Sequence, residues 1–332
     1  MAQMKYFYEL TISSSPHAHG SATTQTIMRD VLIALAPALV GSVCFFGFRA
    51  LLVTLVSAAA CVFFEWGYRR LTHKTSTVYD MSAIVTGVLL AFVCPVTIPY
   101  WCLIIGDFFA IVVVKQLFGG IGKNFMNPAL AARAFLFSWP VIMSTWVKVG
   151  FQNAAGIFST ADAVTAATPL AAMHAGSLEG VKLMELFLGN VGGCIGETSA
   201  LLLLIGGAWL VLRRVISPRI PMAFLGTVAV LTFLFPQGNP RLTWMAAQVL
   251  SGGVMLGAIF MATDYVTSPV TKLGQVIFGV GCGLITVVIR YFGAYNEGVS
   301  YAILVMNAFV ALLDKVGRPR KYGAPRKEAA KK

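Results

Sequence analysis

The sequence predicts an all-α polytopic membrane protein with about ten transmembrane helices arranged as two inverted five-helix repeats. Hydrophobic residues make up 58% of the 332 residues and charged residues only 11%, whereas soluble domains are about 25% charged. The mean hydropathy is +0.79. Apolar runs close to the length of a membrane span recur along the chain, so the hydrophobic residues are grouped as spans rather than as one globular core.

The spans are identified by length and by the polar segments between them. A helix needs about 20 apolar residues, within a range of about 17–25, to cross the hydrocarbon core. The candidate segments are approximately 28–46, 50–67, 80–94, 100–117, 127–143, 197–213, 220–236, 243–261, 273–290 and 297–313.

The charge distribution sets the orientation. Lys and Arg are retained on the cytoplasmic side of a membrane protein, and a cytoplasmic N-terminus places all but six of the 25 basic residues there or in the C-terminal tail. We therefore expect a multi-pass protein of the bacterial inner membrane with both termini in the cytoplasm. The net charge of +12 is interpreted as a topological signal with anionic membrane lipid as its counter-ion. A nucleic-acid partner is excluded because there is no basic domain interleaved with aromatic residues.

The chain divides around one long polar stretch. We expect a cytoplasmic N-terminus and first five-helix repeat over 1–143, an extracytoplasmic segment over 144–195, a second repeat over 196–314 and a basic cytoplasmic tail over 315–332. A five-span repeat is odd-numbered, so its second copy inserts upside down, and inverted repeats typically build an ion or substrate path at their interface. The pairs of similar segments are 87–90 with 253–256 and 111–119 with 285–293.

Proline predicts a broken helix at one point of this path. Pro95 and Pro99 remove backbone donors near the end of the third segment, and the freed carbonyls need partners from protein or water. The stretch 263–269, which follows the eighth segment, is a second candidate. Ordinary short loops between helices are the alternative at both places.

The polar stretch contains the heptapeptide DAVTAAT at 162–168. The pattern Asp-x-x-Ser/Thr-Gly-Ala-Ser/Thr is what a flavin transferase recognises when it joins the phosphate of FMN to the final hydroxyl. Thr168 is then the attachment residue, Asp162, Thr165 and Ala167 complete the recognition sequence, and Ala166 replaces the usual Gly. The predicted topology exposes this segment to an exported transferase. The alternative is a helix-capping turn, with Thr168 and Pro169 starting a short helix.

A second polar stretch follows the fourth segment, on the predicted cytoplasmic side. Its glycines allow close approach of the backbone to a planar ligand, and its asparagines offer amide hydrogen bonds. The candidate residues are Gly119, Gly120, Asn124 and Arg133. Arg133 is placed within a span, where a cation needs a partner or a function. The alternative is a glycine turn, with Asn127 as the N-cap of a helix, Pro128 at its first position and Arg133 extending to the surface.

Acidic residues within spans are functional candidates. Asp107 is the clearest, because it lies inside the fourth segment, and a carboxylate is a suitable ligand for a hard cation such as Na⁺. The alternative is an acid paired with Lys115 or with another protein of a complex. The further candidates among the acids are Glu197 and Asp80 at span ends and Asp264 and Glu65 near them.

Four stretches together resemble the family of RnfD proteins, which are membrane components of Rnf complexes: SSSPH at 13–17, TIMRDVLIALAP at 26–37, GGIGKNFMNPA at 119–129 and DAVTAAT at 162–168. The resemblance covers nearly the whole chain. It implies covalent FMN on Thr168 and a place in a complex that couples electron transfer between ferredoxin and NAD to movement of Na⁺ or H⁺.

The same resemblance implies partners and a second cofactor. The partners would be Rnf subunits A, B, C, E and G, together with a flavin transferase for maturation. A noncovalent flavin such as riboflavin would lie within the spans, for which Gly119, Gly120, Asn124 and Arg133 are the candidates. The sequence has no evident ferredoxin-binding, NAD-binding or iron–sulfur module, so we expect no catalytic residue of its own and activity only within the complex.

Two other functions are compatible with this pattern. The homologous membrane protein NqrB of the sodium-pumping NADH:quinone oxidoreductase would also carry the flavin, although the short N-terminus with its SSSPH stretch favours Rnf. A non-redox channel or solute transporter could have inverted repeats and broken helices without any flavin. The flavin content of the protein distinguishes the last possibility from the other two.

Overall fold

A computed structural model describes residues 23–147, 168–178, 180–293 and 297–316. These residues form α-helices, two π-helical stretches and a 3-10 turn joined by loops, and they contain no β-strand. The predicted all-α class is confirmed.

The helices follow the apolar runs. They are α1 (Thr24–Phe46), α2 (Phe48–Leu71), α3 (Ser82–Phe92), α4 (Tyr100–Phe108, continued by a π-helix over Phe109–Gln116), α5 (Pro128–Leu136), α6 (Pro140–Met143), α7 (Pro169–His174), α8 (Leu183–Leu188), α9 (Ala200–Leu212), α10 (Arg219–Leu234), α11 (Arg241–Leu250), α12 (Val254–Leu256, continued by a π-helix over Gly257–Met261), α13 (Lys272–Phe292) and α14 (Val299–Val316). Hydroxyl side chains of Thr23, Ser199 and Thr271 accept backbone N–H bonds at the starts of α1, α9 and α13, which satisfies amides that a helix start leaves free.

Several of these helices are suited to a membrane. Among the described residues, four helices are long and apolar enough to cross one, namely α1, α2, α13 and α14, and α11 with α12 adds a fifth if the bent pair counts as one span. Helices α3, α9 and α10 are shorter and apolar. Each of the predicted segments contains at least one helix. The polytopic membrane class is therefore confirmed, while the count of ten spans and the inverted repeats stay predictions.

Two connections interrupt the apolar helices. Helix α3 ends at Phe92 and α4 begins at Tyr100, so Pro95 and Pro99 lie in the connection between two helices. The candidate segment 243–261 contains two helices rather than one, because α11 and α12 meet at 61° across residues 251–253. Gly252 has a φ of +62° there, a backbone conformation that glycine adopts without steric cost.

Small residues allow the helices to approach closely. A Cβ on Gly87 of α3 would lie 2.8 Å from the carbonyl oxygen of Ser57 in α2, and a Cβ on Gly206 of α9 would overlap the carbonyl of Ala34 in α1. Such contacts are typical of membrane helices, whose association depends on close packing rather than on exclusion of water.

Contacts between connections define two ends of the helix bundle. Arg49, in the first turn of α2, donates to the carbonyl of Val96 at 2.9 Å. At the opposite end, Asn127 donates to the carbonyl of Met261 at 3.3 Å. We call the end formed by residues 93–99, 168–199 and 297–298 the Thr168 end, and the end formed by residues 117–127 and 262–271 the Lys115 end. The predicted topology makes the Thr168 end extracytoplasmic.

Candidate functional site

Thr168 lies directly before α7, with Pro169 at the first helical position. Its side-chain oxygen accepts a hydrogen bond from the backbone N–H of Ala171 at 3.2 Å. Thr168 and Pro169 therefore do start a short helix, and the hydroxyl that would carry a flavin now caps it. The remaining motif residues lie outside the described part of the chain: Asp162, Thr165, Ala166 and Ala167.

Helix α7 is fixed by its apolar face. Leu170 and Met173 are buried and pack in a cluster with Leu186 and Trp244. The indole N–H of Trp244 donates to the hydroxyl of Tyr291 at 2.9 Å, which ties α11 to α13 beside this cluster. Thr168 is thus presented from a packed support, as precise positioning of a functional group requires.

Thr168 lines a cavity of about 260 Å³, which we call the outer cavity. Ligand sites for small molecules commonly have volumes of about 300–1,000 Å³, so the space that the described residues enclose is slightly smaller than that range. One part of the wall is apolar and another is charged. The apolar part includes Phe137, Leu170 and Leu250, and the charged part includes Arg133, Glu197 and Glu297.

Arg133 forms the charged part of this wall. It is 2% exposed, and its Nη1 donates to Glu197 at 3.2 Å and to the hydroxyl of Ser300 at 2.9 Å. Its Nη2 donates to Glu297 at 2.5 Å and to the Cys194 sulfur at 3.6 Å. A buried cation is tolerated when it is paired and hydrogen-bonded. The alternative in which Arg133 extends to the membrane surface is wrong.

Two polar atoms of the outer cavity are left without a partner. Arg133 Nε and Ser251 Oγ are buried and have no hydrogen-bond partner among the described residues, and both residues line the cavity. Buried polar atoms are nearly always hydrogen-bonded. Two residues of the cavity wall therefore each carry a buried polar atom without a partner.

A second cavity of about 360 Å³ lies at the Lys115 end, and we call it the inner cavity. Asn124, Lys115 and Asp264 line it. The Lys115 ammonium donates to Glu65 at 2.7 Å and to the hydroxyl of Ser82 at 2.8 Å. Burial raises the pKa of the Asp264 carboxyl, and a hydrogen bond from a neighbouring threonine opposes that rise.

Helix α5 connects the two cavities. Asn127 lines the inner cavity and caps α5 as predicted, its side-chain oxygen accepting from the N–H groups of Ala129 and Leu130. Arg133 lies on the same helix and lines the outer cavity. Arg133 is six residues after Asn127, which at about 1.5 Å of rise per residue corresponds to roughly 9 Å along α5.

The four residues considered for a second flavin do not surround one cavity. Asn124 lines the inner cavity and Arg133 the outer one. Gly119 and Gly120 form the turn after the π-helix, with φ values of +114° and +94°. A Cβ on Gly120 would lie 2.5 Å from the guanidinium of Arg69. The positive φ values are what favour glycine at both positions of this turn.

Asp107 is fully buried in α4. Its Oδ1 accepts hydrogen bonds from the Ser57 hydroxyl at 2.6 Å and the Cys61 thiol at 3.3 Å, while Oδ2 has no partner among the described residues. Lys115 pairs with Glu65 instead. The alternative in which Asp107 pairs with Lys115 is therefore wrong.

Sequence reasoning missed two contributors to the outer cavity. Glu297 is the first residue of the last candidate segment and was not among the candidate acids, and Ser251 falls within the candidate segment 243–261. Glu297 reaches Arg133 across 164 residues of chain, so no local spacing signals the contact. The one sequence feature that could have indicated Glu297 was its position at the start of an apolar segment.

Comparisons with known proteins agree over nearly the whole chain. The sequence matches the model of the NQR2, RnfD, RnfE family over residues 11–323. It is 47% identical to the D subunit of the Na(+)-translocating ferredoxin:NAD(+) oxidoreductase complex of Acetobacterium woodii, covering 95% of each chain. It is 42% identical to the D subunit of the proton-translocating ferredoxin:NAD(+) oxidoreductase complex of Clostridium ljungdahlii, over 95% of this chain and 97% of the relative. The D subunit of the ion-translocating oxidoreductase complex of Escherichia coli is 35% identical, over 94% of this chain and 98% of the relative.

Proposed function

Because this chain belongs to the NQR2, RnfD, RnfE family, we propose that it is the flavin-carrying membrane subunit of an ion-translocating ferredoxin:NAD oxidoreductase, with FMN joined through its phosphate to Thr168. The names of the relatives supply the complex. The flavin is supported by one observation above all: the final hydroxyl of the attachment motif lies at a cavity with an apolar wall and unpartnered polar atoms.

The residues of the outer cavity fit such a group. A flavin ring is planar and largely apolar, with hydrogen-bonding atoms along one edge. Leu170, Leu250 and Phe137 offer apolar contact to the ring, and Arg133 and Ser251 place polar side chains in the same wall for its polar edge. The bound flavin supplies a carrier that accepts and releases electrons, and the protein positions it and sets its electrostatic surroundings.

Loss of the Thr168 hydroxyl tests this proposal. The protein is co-expressed with a flavin transferase and examined by denaturing gel electrophoresis under ultraviolet light. We expect a fluorescent band in wild type and in Thr168→Ser, and none in Thr168→Val. Thr198→Val is the matched control, because Thr198 lines the same cavity outside the motif. A dark wild-type band would refute covalent attachment and favour the non-redox channel or transporter.

A second, noncovalent flavin such as riboflavin is proposed for the inner cavity. The volume of about 360 Å³ falls within the range of small-molecule sites, and Asn124 provides an amide that can hydrogen-bond a flavin edge. Arg133 faces the other cavity, so it is not part of this site. Purified protein extracted with acid should release riboflavin, and Asn124→Leu should release less while keeping the covalent band.

The transported ion is proposed to be Na⁺ or H⁺. The two relatives with the highest identities quoted above are named for different ions, and the buried Asp107 carboxyl with its free Oδ2 is a candidate for the path. Asp107→Asn is expected to keep the Thr168 fluorescence and to abolish ion transport by the assembled complex. Transport at the wild-type rate would remove Asp107 from the path.

The remaining proposals concern the surroundings of the protein. We place it in the bacterial inner membrane with both termini in the cytoplasm, in contact with lipid and with Rnf subunits A, B, C, E and G. Electrons reach and leave it through those subunits. The isolated chain is then expected to carry flavin without oxidising ferredoxin or reducing NAD.

A further inference from the structure

Two buried carboxylates lie side by side in the wall of the outer cavity at the Thr168 end. Glu197 and Glu297 have carboxylate oxygens within 4.8 Å of each other, and both contact the guanidinium of Arg133. Glu297 also accepts the backbone N–H of Gly253 at 2.6 Å. The two side chains come from different connections, one before α9 and the other before α14, and they meet at the outer cavity that contains Thr168.

We infer that Glu197 and Glu297 form a proton-binding site that takes up one proton when the outer cavity gains an electron. The inference rests on the proposed function, because it requires the flavin on Thr168.

Charge balance is the first step of the argument. The charged or titratable groups that face the pair, within the described ranges, are Arg133 from α5, Arg290 from α13, and Cys94 and Cys194 from the connections before α4 and α9. Arg290 is itself held by Gln248 and by the carbonyl of Ser251. With neutral thiols, two guanidinium groups balance two carboxylates, and the buried cluster is neutral.

An added electron breaks this balance. The side chains of Arg133 and Glu197 are 2% and 4% exposed, so water screens the extra negative charge poorly, and opposite or like charges interact far more strongly than at a surface. A nearby negative charge favours the protonated form of a carboxylate. A proton on the pair restores neutrality, and by linkage the reduced protein binds more protons than the oxidised one.

The geometry also provides a route for the proton. The Glu297 side chain is 14% exposed and that of Glu197 is 4% exposed, so Glu297 is the member nearer to water. The step balances: a redox partner of the complex supplies one electron, and the aqueous phase at the Thr168 end supplies one proton, which forms an O–H bond on a carboxylate. When the electron leaves, that bond breaks and the proton returns to the same phase.

The experiment measures the reduction potential of the covalent flavin as a function of pH. Full-length wild type is compared with Glu197→Gln, Glu297→Gln, Glu197→Asp and the control Glu185→Gln. Glu185 belongs to an exposed ion pair with Lys182 on α8, so its change alters a carboxylate at the same end without touching the cluster. The covalent band on a denaturing gel is recorded for each protein.

We expect wild type, Glu197→Asp and Glu185→Gln to share one slope of potential against pH. Both glutamine variants should take up fewer protons per electron, by close to one, and should have a higher potential because a negative charge has been removed. Equal slopes in all five proteins would overturn the inference while leaving the proposed function intact. Loss of bound FMN in both glutamine variants but not in Glu185→Gln would mean that the two carboxylates are needed for folding or for flavin attachment. That result would also overturn the inference. A wild type without covalent flavin would overturn the proposed function and this inference together.

Discussion

The ion pair of Lys115 and Glu65 gives the sharpest test of the structure. The ammonium and carboxylate are 2.7 Å apart, and their side chains are 4% and 1% exposed. The Lys115 ammonium also donates to Ser82, and Glu65 accepts from Thr77. Replacing Lys115 by Met leaves the Glu65 carboxylate buried without its cation.

The cost of that change can be estimated from its burial. Removing one partner of a buried ion pair typically costs about 3–5 kcal/mol, whereas removing both charges is often close to neutral. Lys115→Met should therefore lower the free energy of unfolding by about 3–5 kcal/mol, a large part of the roughly 5–15 kcal/mol of a native protein. The double variant Lys115→Met, Glu65→Gln should recover most of the loss, so that the double-mutant cycle gives a coupling of at least about 2 kcal/mol.

The assay is unfolding in mixed detergent micelles followed by tryptophan fluorescence, with Lys182→Met as the control. Lys182 forms an ion pair of similar length with Glu185, but its side chain is 74% exposed, and such pairs contribute about 0–1 kcal/mol. The reasoning fails if Lys115→Met costs no more than Lys182→Met. It also fails if the effects of the two single changes at Lys115 and Glu65 simply add.

Two further predictions concern helix packing and capping. Gly87→Leu should lower the free energy of unfolding by about 1–3 kcal/mol or more through overpacking, because a Cβ would lie 2.8 Å from the backbone of α2. The control Gly67→Ala has no atom within 4 Å of its Cβ. It should be neutral or stabilising by up to about 1 kcal/mol. Equal losses in both would contradict the close contact of α2 with α3. Asn127→Ala should lower the free energy of unfolding by about 1–2 kcal/mol, since it removes the N-cap of α5. Asn127→Asp should retain most of the wild-type stability. An Asn127→Ala protein as stable as wild type would show that the cap is dispensable.

The parts of the fold that depend on local sequence could be predicted. Apolar runs located the helices, Pro95 and Pro99 located the break before α4, and Asn127 followed by proline located the start of α5. The bend at 251–253 could not be predicted in the same way. A serine and two glycines are common inside membrane helices, and only the packing of α11 and α12 decides whether they bend the chain.

The candidate sites were predictable as residues but not as an assembly. Arg133 was singled out because a cation within a span needs a partner. Its partners Glu197 and Glu297 are 64 and 164 residues away in sequence, and neither distance follows from a motif. The partition of Asn124 and Arg133 between two cavities likewise depends on the direction of α5, which a hydropathy pattern does not give.

The short run of α5 between the two cavities has a consequence for the membrane voltage. A hydrocarbon core is about 30 Å thick, but only roughly 9 Å of helix separates Asn127 at the inner cavity from Arg133 at the outer one. A voltage applied across a layer gives a field inversely proportional to its thickness, so with water filling both cavities the field across this partition would be about three times steeper than across lipid. Each elementary charge that crosses the full voltage exchanges about 2.3 kcal/mol per 100 mV with it. Most of that work would be done within less than two turns of one helix.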